Sequence, residues 1–152
     1  LIGELPRDIA QNLVTFITQT AIGKREKITV FGDDYNTPDG SCIRDYIHVV
    51  DLAKAHIAAL KLMEKDSFKG YDVFNLGTGK GNSVLEIIHA FERVTGVKLN
   101  YSIGPRRSGD IEQVWGDVTK SKEQLHWQTE LGIDTMMASA WAWEKYLSNN
   151  PL

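Results

Sequence analysis

The stretch 51–95, DLAKAHIAALKLMEKDSFKGYDVFNLGTGKGNSVLEIIHAFERVT, decides the fold class of this chain. Residues 52–64 are rich in Ala and Leu and predict a helix, with Asp51 as its N-cap. Residues 71–76 alternate aromatic and apolar residues with Asp72 and Asn75 and predict a strand. Residues 83–95 predict a second helix. A strand between two helices indicates an α/β protein, because such strands are normally buried in a parallel sheet.

The second of these helices has clear end signals. Ser83 and Glu86 form a capping-box pattern, and Gly96 follows the last turn. The other predicted elements lie on both sides of this region. They are a helix over 8–22, a strand over 28–31, a loop over 32–40, an extended segment over 42–47, a strand over 99–103, a helix over 120–125, and a final helix over 135–147 introduced by Ile133 and Asp134.

The strand 71–76 has few predicted partners in this sequence. It is too apolar for an exposed edge, so we expect its neighbours in the sheet to lie in sequence that is absent here. The chain also lacks an initiator Met and begins in what reads as a loop, residues 1–6. We therefore expect a piece of a larger enzyme.

Composition restricts the classes of function and partner that fit this chain. The chain has 152 residues, 42% of them hydrophobic and 24% charged, which suits a folded domain. A net charge of -3 without long basic runs gives no reason to expect a nucleic-acid or membrane partner. Cys42 is the only cysteine, which excludes an intrachain disulfide and fits a reducing, cytoplasmic setting. The N-terminus has no signal-peptide pattern, and no apolar stretch is long enough to span a bilayer.

Several motifs are better explained by a structural role than by catalysis or by cofactor or metal binding. The glycines of 77–81 follow a strand, but their spacing is one residue short of the dinucleotide-binding fingerprint, and no acidic residue ends the next strand. The pattern of Asp34, Asn36, Asp39 and Asp45 is similar to a calcium loop, but Asp39 stands at the sixth position, where such a loop needs glycine. The four histidines are not at metal-ligand spacing, and no catalytic triad or Tyr-x-x-x-Lys is present. We predict no catalytic, cofactor-binding or metal-binding residue in this chain.

Two arginines remain as candidates for ligand binding. Arg44 follows the glycine-rich loop, and Arg107 lies in Arg106-Arg107-Ser108-Gly109-Asp110. A guanidinium binds phosphate oxygens in bidentate fashion, so two arginines from distant segments are able to hold a diphosphate from two sides. Asp110 is able to accept a hydrogen bond from a ribose hydroxyl. A surface salt bridge is the alternative for each arginine.

These segments together resemble the UDP-glucose 4-epimerases of the extended short-chain dehydrogenase/reductase superfamily. The resemblance covers essentially the whole chain. It is carried by Gln11-Asn12-Leu13, Val30-Phe31-Gly32-Asp33-Asp34-Tyr35, Asp39-Gly40, Arg44-Asp45-Tyr46-Ile47-His48-Val49-Val50-Asp51-Leu52-Ala53, Asn75-Leu76-Gly77-Thr78-Gly79 and Arg106-Arg107-Ser108-Gly109-Asp110.

The resemblance implies the fold class and domain organisation. A family member is about twice as long, and residues 1–152 resemble only its C-terminal, nucleotide-sugar-binding portion. The fold would be a small mixed α/β substrate domain, plus elements within about 47–95 that return to the N-terminal Rossmann sheet. That absent half would carry the NAD fingerprint and the catalytic residues. NAD would be the cofactor of the intact enzyme, and this chain alone would bind none and be inactive. The intact enzyme would be a homodimer.

The resemblance also implies site residues for a UDP-sugar substrate. Asn12 and Leu13 would lie near the UDP, with Asn12 at the pyrophosphate. The strand residues Thr29, Val30 and Phe31 would line the uracil site, largely through their backbone. The phosphates would be bound by Arg44 and Arg107, and the uridine ribose by Asp110.

The sugar end of the site carries one departure from the family. Where the family often has Tyr near the sugar C2 substituent, this chain has the smaller Val114. We therefore expect tolerance of N-acetylhexosamine as well as glucose and galactose.

Two alternatives to the epimerase stay open at this point. One is another nucleotide-sugar enzyme of the superfamily, a dehydratase or a decarboxylase. The other is a nucleotide-sugar-binding module without catalysis, which would require the gene to end where this chain does.

Overall fold

A computed structural model describes residues 3–5 and 10–150 of the chain. Helices and strands are interspersed along the chain, which confirms the α/β class. In order they are α1 (Leu13–Ala21), β1 (Ile28–Phe31), β2 (Ile43–Arg44), α2 (Val49–Met63), β3 (Asn82–Ser83), α3 (Val84–Thr95), β4 (Tyr101–Gly104), α4 (Thr119–Leu125) and α5 (Ile133–Asn149). Parallel strands β1 and β4 form one sheet, and the short strands β2 and β3 form another.

The chain divides into two compact units. The first unit comprises Leu1–Cys42, Ser83–Glu112 and Ile133–Leu152, and the second comprises Ile43–Asn82 and Gln113–Gly132. The first unit therefore contains α1, β1, α3, β4 and α5, and the second contains α2 and α4.

The first unit is built around a core between its helices and the β1–β4 pair. Helix α3 packs on α5 and on α1, and β1 pairs with β4 from Ile28 opposite Tyr101 to Phe31 opposite Gly104. Phe91 is fully buried and meets Trp141 edge to face, with 5.6 Å between ring centroids. The other fully or nearly fully buried apolar side chains of this core are Ile17, Ile28, Val30, Ile87, Ile88 and Met137.

The end signals of α3 are confirmed. The Ser83 side chain accepts a hydrogen bond from the Glu86 backbone at 3.0 Å, and the Glu86 carboxylate accepts one from the Ser83 backbone at 2.7 Å. Gly96 ends the helix in the left-handed conformation, with φ of 73°. These signals are local in sequence, which is why they were readable without the fold.

The predicted N-cap of α2 is wrong. The helix begins earlier, and His48 caps it by accepting a hydrogen bond from the Val50 backbone at 3.1 Å. Asp51 lies in the first turn, fully buried, and accepts from the backbone of Glu130 at 3.0 Å and of Leu131 at 2.9 Å. Its carboxylate serves a loop about 80 residues away, and no local rule predicts that role.

The predicted strand 71–76 forms no ladder with any strand among the described residues. Tyr71 is 90% exposed and Val73 68% exposed, while Phe74 and Leu76 pack against the cluster of Ala55, Leu125 and Trp127. A strand needs a hydrogen-bonded neighbour, and none of the described residues supplies one. The sequence pattern of a buried strand is therefore present without the pairing.

The remaining boundary differences are smaller. The predicted helix 8–22 begins at Leu13, because Asn12 is extended, and residues 8 and 9 lie outside the described residues. Only Ile43 and Arg44 of the extended segment 42–47 are a strand. Helix α5 begins at Ile133 and includes Asp134 in its first turn, where that residue pairs with Arg93 rather than capping.

Candidate functional site

Two loops leave the β1–β4 sheet at the same end, where both strands have their carboxyl ends. The strands are parallel and in register, so Phe31 and Gly104 end side by side. The loop 32–42 follows β1, and the segment 105–112 follows β4. Parallel strands commonly place ligand-binding loops at this edge, because both chains leave the sheet at the same end.

Arg107 and Asp110 form an ion pair at this edge. Arg107 Nη2 and Nε lie 2.9 Å and 3.2 Å from the two carboxylate oxygens of Asp110. The guanidinium carbon of Arg107 lies 5.2 Å from the centroid of the Phe31 ring. The hydrogen bond that Arg107 donates to Asp110 raises the pKa of Arg107, so the guanidinium is charged at any physiological pH. The side chain is largely exposed, which leaves this planar cation accessible to an oxyanion.

The three predicted residues of β1 have different environments. Val30 is buried, so only its backbone is able to line a site, whereas Thr29 is exposed and Phe31 is 41% exposed. The backbone N–H groups of Ile28 and Gly32 donate to the β4 side. Since backbone groups alternate along a strand, those of Thr29 and Phe31 point to the opposite edge of β1. This edge has no strand partner among residues 3–5 and 10–150.

Asn12 precedes α1 and is held by an acidic side chain. Its amide nitrogen donates to both carboxylate oxygens of Glu4 at 3.1 Å, and the Thr15 hydroxyl donates to the same carboxylate at 2.6 Å. Leu13 is half-buried as the first residue of the helix. A carboxylate is favoured at this position by the partial positive charge of a helix N-terminus. The Asn12 amide therefore already faces an anion, one that a ligand would have to displace.

Arg44 and Val114 belong to the second unit, where one carbonyl brings them together. The backbone oxygen of Ile43 accepts from Arg44 Nη1 at 2.8 Å and from the Val114 backbone at 3.2 Å. Arg44 is half-buried, and the Val114 side chain is 45% exposed. The structure thus groups the predicted site residues as Arg107, Asp110 and the β1 residues in one unit, and Arg44 with Val114 in the other.

The backbone of the glycine turn 77–81 donates hydrogen bonds to a carboxylate of the same unit, that of Asp45. Asp45 accepts hydrogen bonds from the backbone of Thr78 at 2.9 Å and Gly79 at 3.2 Å, and from the Thr78 hydroxyl at 2.6 Å. A Cβ atom on Gly77 would lie 2.3 Å from an Asp45 oxygen. The turn amides that would cradle a dinucleotide pyrophosphate are therefore occupied, and these residues do not fit NAD.

The acidic residues of the 32–45 loop have specific partners. Asp34 pairs with Arg106, and Asp39 accepts from the Ser41 backbone and from the hydroxyls of Ser41 and Ser83. The part of the chain that the structure describes contains no cluster of three or more His, Cys, Asp or Glu side chains suited to a metal ion. No helix within that part combines the length and apolar character needed to cross a membrane.

Sequence reasoning assigned no role to three residues that shape this region. Glu4 holds Asn12, and Arg106 and Glu112 tie the segment 105–112 to the loop 32–40. Arg106 and Arg107 are adjacent and identical in type, so the sequence alone did not indicate that they have different partners.

Comparison with known proteins places the chain in a family. A family profile described as GDP-mannose 4,6 dehydratase matches residues 4–140. The chain therefore belongs to this family of nucleotide-sugar enzymes.

The similar proteins within this family are more specific. UDP-glucose 4-epimerase of Erwinia amylovora is 48% identical over 149 residues, which is 98% of this chain and 43% of that protein. A crystal structure of UDP-glucose 4-epimerase from Stenotrophomonas maltophila, with bound NAD and formylated UDP-arabinopyranose, is 42% identical with a TM-score of 0.93. It is matched over 97% of this chain and 44% of that one.

A third similar protein is an epimerase described for two sugars. The UDP-Glc/GlcNAc 4-epimerase of Campylobacter jejuni is 38% identical with a TM-score of 0.81, over 92% of this chain and 43% of that one. The resemblance to UDP-glucose 4-epimerases is thereby confirmed. The chain spans less than half the length of the curated relatives it matches.

Proposed function

We propose that this chain is the C-terminal, UDP-binding portion of a UDP-glucose/UDP-galactose 4-epimerase. The observation that carries the proposal is the placement of Arg107, Asp110 and Phe31 together at the carboxyl ends of β1 and β4. A cation, an acceptor and an aromatic ring are the three kinds of group that a phosphate, a ribose and a uracil require. The similarity to proteins named UDP-glucose 4-epimerase supports the same conclusion.

In this proposal the Arg107–Asp110 ion pair breaks when UDP binds, and each side chain then contacts a different part of the nucleotide. The guanidinium turns its hydrogen bonds to the phosphate oxygens, and the carboxylate accepts from a ribose hydroxyl instead. The backbone of Thr29, Val30 and Phe31 lines the uracil. Asn12 and Leu13 lie near the UDP, with Asn12 at its pyrophosphate, and Arg44 adds a second cation for the phosphates. These roles follow the family resemblance.

The chemistry itself belongs to sequence outside this chain. NAD bound by the intact enzyme would supply reversible hydride transfer at sugar C4. The residues present here bind and orient the nucleotide, and none of them is proposed as catalytic. We further propose that the intact enzyme is a cytoplasmic homodimer and that elements within about 47–95 complete its Rossmann sheet. The extended segment 71–76, with its exposed Tyr71 and Val73, supports that last proposal.

A dehydratase is the second candidate, because the family profile carries that description. The two activities are separated by their products. Epimerisation of UDP-glucose yields UDP-galactose of unchanged mass, whereas dehydration yields a product lighter by one water. Chromatography and mass spectrometry of the reaction of the natural full-length protein decide between them.

The UDP-binding proposal is tested by calorimetric titration of the natural full-length protein with UDP. Loss of a bidentate Arg–phosphate contact weakens binding by about 10- to 100-fold, so we expect that change for Arg107→Ala. Arg93→Ala is the matched control, because Arg93 is also an exposed arginine in an ion pair, with Asp134. Unchanged binding in both Arg107→Ala and Arg44→Ala would remove the proposed phosphate contacts.

The sugar tolerance proposed from Val114 has its own test. Val114 is 45% exposed and short, which supports room for an N-acetyl group beside it. Val114→Tyr is expected to lower turnover of UDP-N-acetylglucosamine more than turnover of UDP-glucose. Equal loss for both sugars, or no turnover of UDP-N-acetylglucosamine by the natural protein, would contradict the proposal.

A further inference from the structure

Arg106 and Arg107 are adjacent in sequence but form ion pairs with different parts of the chain. Arg107 pairs with Asp110 within its own segment, whereas Arg106 reaches across to the loop that follows β1. Arg106 Nε donates to the Asp34 carboxylate at 2.6 Å, and its Nη2 donates to the Asp34 backbone oxygen. Its guanidinium carbon lies 4.0 Å from the centroid of the Tyr35 ring. One side chain thus makes an ion pair, a backbone hydrogen bond and a cation–π contact.

The loop that receives Arg106 is itself well ordered. Tyr35 is buried, and its backbone donates to the Gly40 oxygen at 3.0 Å. Gly32 has φ of 88°, and a Cβ atom there would lie 2.6 Å from the Tyr35 ring and 2.9 Å from the Arg106 side chain. The absence of a side chain at Gly32 is what lets the ring and the arginine approach each other.

A second attachment lies at the other end of the segment 105–112. The Asn36 backbone donates to the Glu112 carboxylate at 3.0 Å. The segment is therefore tied to the loop 32–40 near both ends, by Arg106 and by Glu112, and Arg107 and Asp110 lie between the two attachments. A segment anchored at two points has less conformational freedom to lose when its central residues bind a ligand.

We propose that Arg106 is a positioning residue for the UDP site, acting through Arg107. This inference rests on the proposed function, since it assigns a role in UDP binding. Arg106 orders the segment 105–112 on the loop 32–40, and so holds Arg107 and Asp110 at the carboxyl end of β1. Its own guanidinium stays on Asp34 and Tyr35 and does not contact the nucleotide.

Exposed ion pairs contribute little to global stability, and Arg106 is 46% exposed with Asp34 70% exposed. The expected effect of its removal is therefore local. Arg106→Ala should fold with a melting temperature close to that of the natural protein. Arg106→Lys keeps the charge but loses the planar fork and the stacking, so it should restore the natural behaviour only in part.

The test combines hydrogen exchange with a double-mutant cycle in the natural full-length protein. In Arg106→Ala without ligand, the amides of 105–112 should exchange faster while those of α3 are unchanged. UDP binding should weaken by about fivefold to tenfold. In an Arg107→Ala background, adding Arg106→Ala should weaken UDP binding by less than about twofold, because the residue through which Arg106 acts is already gone. Arg93→Ala, the control, should change none of these.

Each outcome decides part of the proposal. A full additional loss of UDP binding in the Arg107→Ala background would mean that Arg106 contacts the ligand directly, which overturns the positioning role. Unchanged exchange and unchanged UDP binding in Arg106→Ala would overturn it as well. If the natural protein does not bind UDP, the proposed function fails together with the role of Arg106 in UDP binding. The exchange measurement then still shows whether Arg106 orders the segment.

Discussion

The first unit has the larger buried apolar core, whereas the second unit leaves more of its large apolar side chains exposed. In the first unit Phe91, Ile17 and Met137 are completely covered, and the sheet pair β1–β4 is backed by helices. The second unit has a small core at Ala55, Leu125 and Trp127. Its exposed large apolar side chains are Val49, Ile57, Leu60, Met63, Tyr71, Val73, Val114 and Trp115.

Helix α2 shows the difference most clearly. The side facing Leu125 and Trp127 carries Ala55 and Leu62. At about 100° per residue the exposed Val49, Ile57 and Leu60 fall on the other side of the same helix, and the exposed Met63 lies on its flank. Lys54, His56 and Lys61 are also exposed on α2, so its apolar residues extend beyond the face that it buries without covering the whole helix. The two units therefore differ in that the first has a large buried core, while the second has a small core and a broader exposed apolar surface.

The largest expected contrast is between a core substitution in the first unit and an exposed one in the second. Phe91→Ala removes a fully buried ring that meets Trp141, and should lower the free energy of unfolding by about 3–5 kcal/mol. Ile57→Ala, at a side chain 54% exposed, should change it by less than about 0.5 kcal/mol. Urea unfolding followed by circular dichroism measures both. Equal losses in the free energy of unfolding for the two variants would contradict the difference in burial between the two units.

A smaller effect is expected within the second unit at Asp51. Its buried carboxylate accepts from the backbone of Glu130 and Leu131, so Asp51→Ala leaves two amides without their acceptor. We expect a loss of about 2–3 kcal/mol and faster exchange of those two amides. Asp51→Asn keeps an acceptor oxygen and is the matched control, with a smaller loss. Unchanged amide exchange in Asp51→Ala would show that this carboxylate does not stabilise the unit.

The exposed face of α2 predicts self-association of the 152-residue chain. Replacing Leu60 and Met63 together by Lys should raise the dissociation constant of the associated form by at least about tenfold, because it places two charges on the apolar face. Sedimentation velocity over a range of concentrations measures this change. The same double replacement of Lys61 and Lys65 by Arg alters neither charge nor the apolar face and serves as control. A natural chain that is monomeric at all concentrations would contradict the prediction.

The smallest expected effect concerns pH and the first unit. The hydrogen bond from Arg106, opposed by partial desolvation, lowers the pKa of Asp34 below its ordinary value. A carboxyl with a lowered folded-state pKa contributes stability that is present above the unfolded-state pKa and is lost as pH falls through the folded one. The attachment of Arg106 should therefore be unchanged between pH 5 and 8 and weaken only below about 4.

NMR titration of the Asp34 carboxyl carbon measures that pKa directly. In Arg106→Ala the pKa of Asp34 should rise toward its ordinary value, because the main cause of the shift is gone. An Asp34 pKa that is the same with and without Arg106 would show that the pair does not form in solution.

What the sequence predicted well was local. The capping box of Ser83 and Glu86, the end of α3 at Gly96 and the strand at 28–31 depend on neighbouring residues, and all three are confirmed. Asp51 was misread, since its partners come from a loop about 80 residues away. The predicted strand 71–76 is absent from the structure, because a strand needs a paired neighbour and none of the described residues supplies one.

The candidate site shows the same limit. Residue type and motif drew attention to Arg107 and Asp110, and the structure brings them together at the end of β1. The different partners of Arg106 depend on where the loop 32–40 lies in space, which the sequence did not indicate. Two adjacent residues of the same type, Arg106 and Arg107, thus make different contacts.

The most direct test of the account is a map of amide exchange in the natural full-length protein with and without UDP. If UDP binds at the carboxyl ends of β1 and β4, UDP should slow exchange at residues 28–32 and 105–112, and this protection should be lost in Arg107→Ala but not in Arg93→Ala. Protection that leaves both segments unchanged, or that persists in Arg107→Ala, would contradict the proposal that UDP binds at the carboxyl ends of β1 and β4.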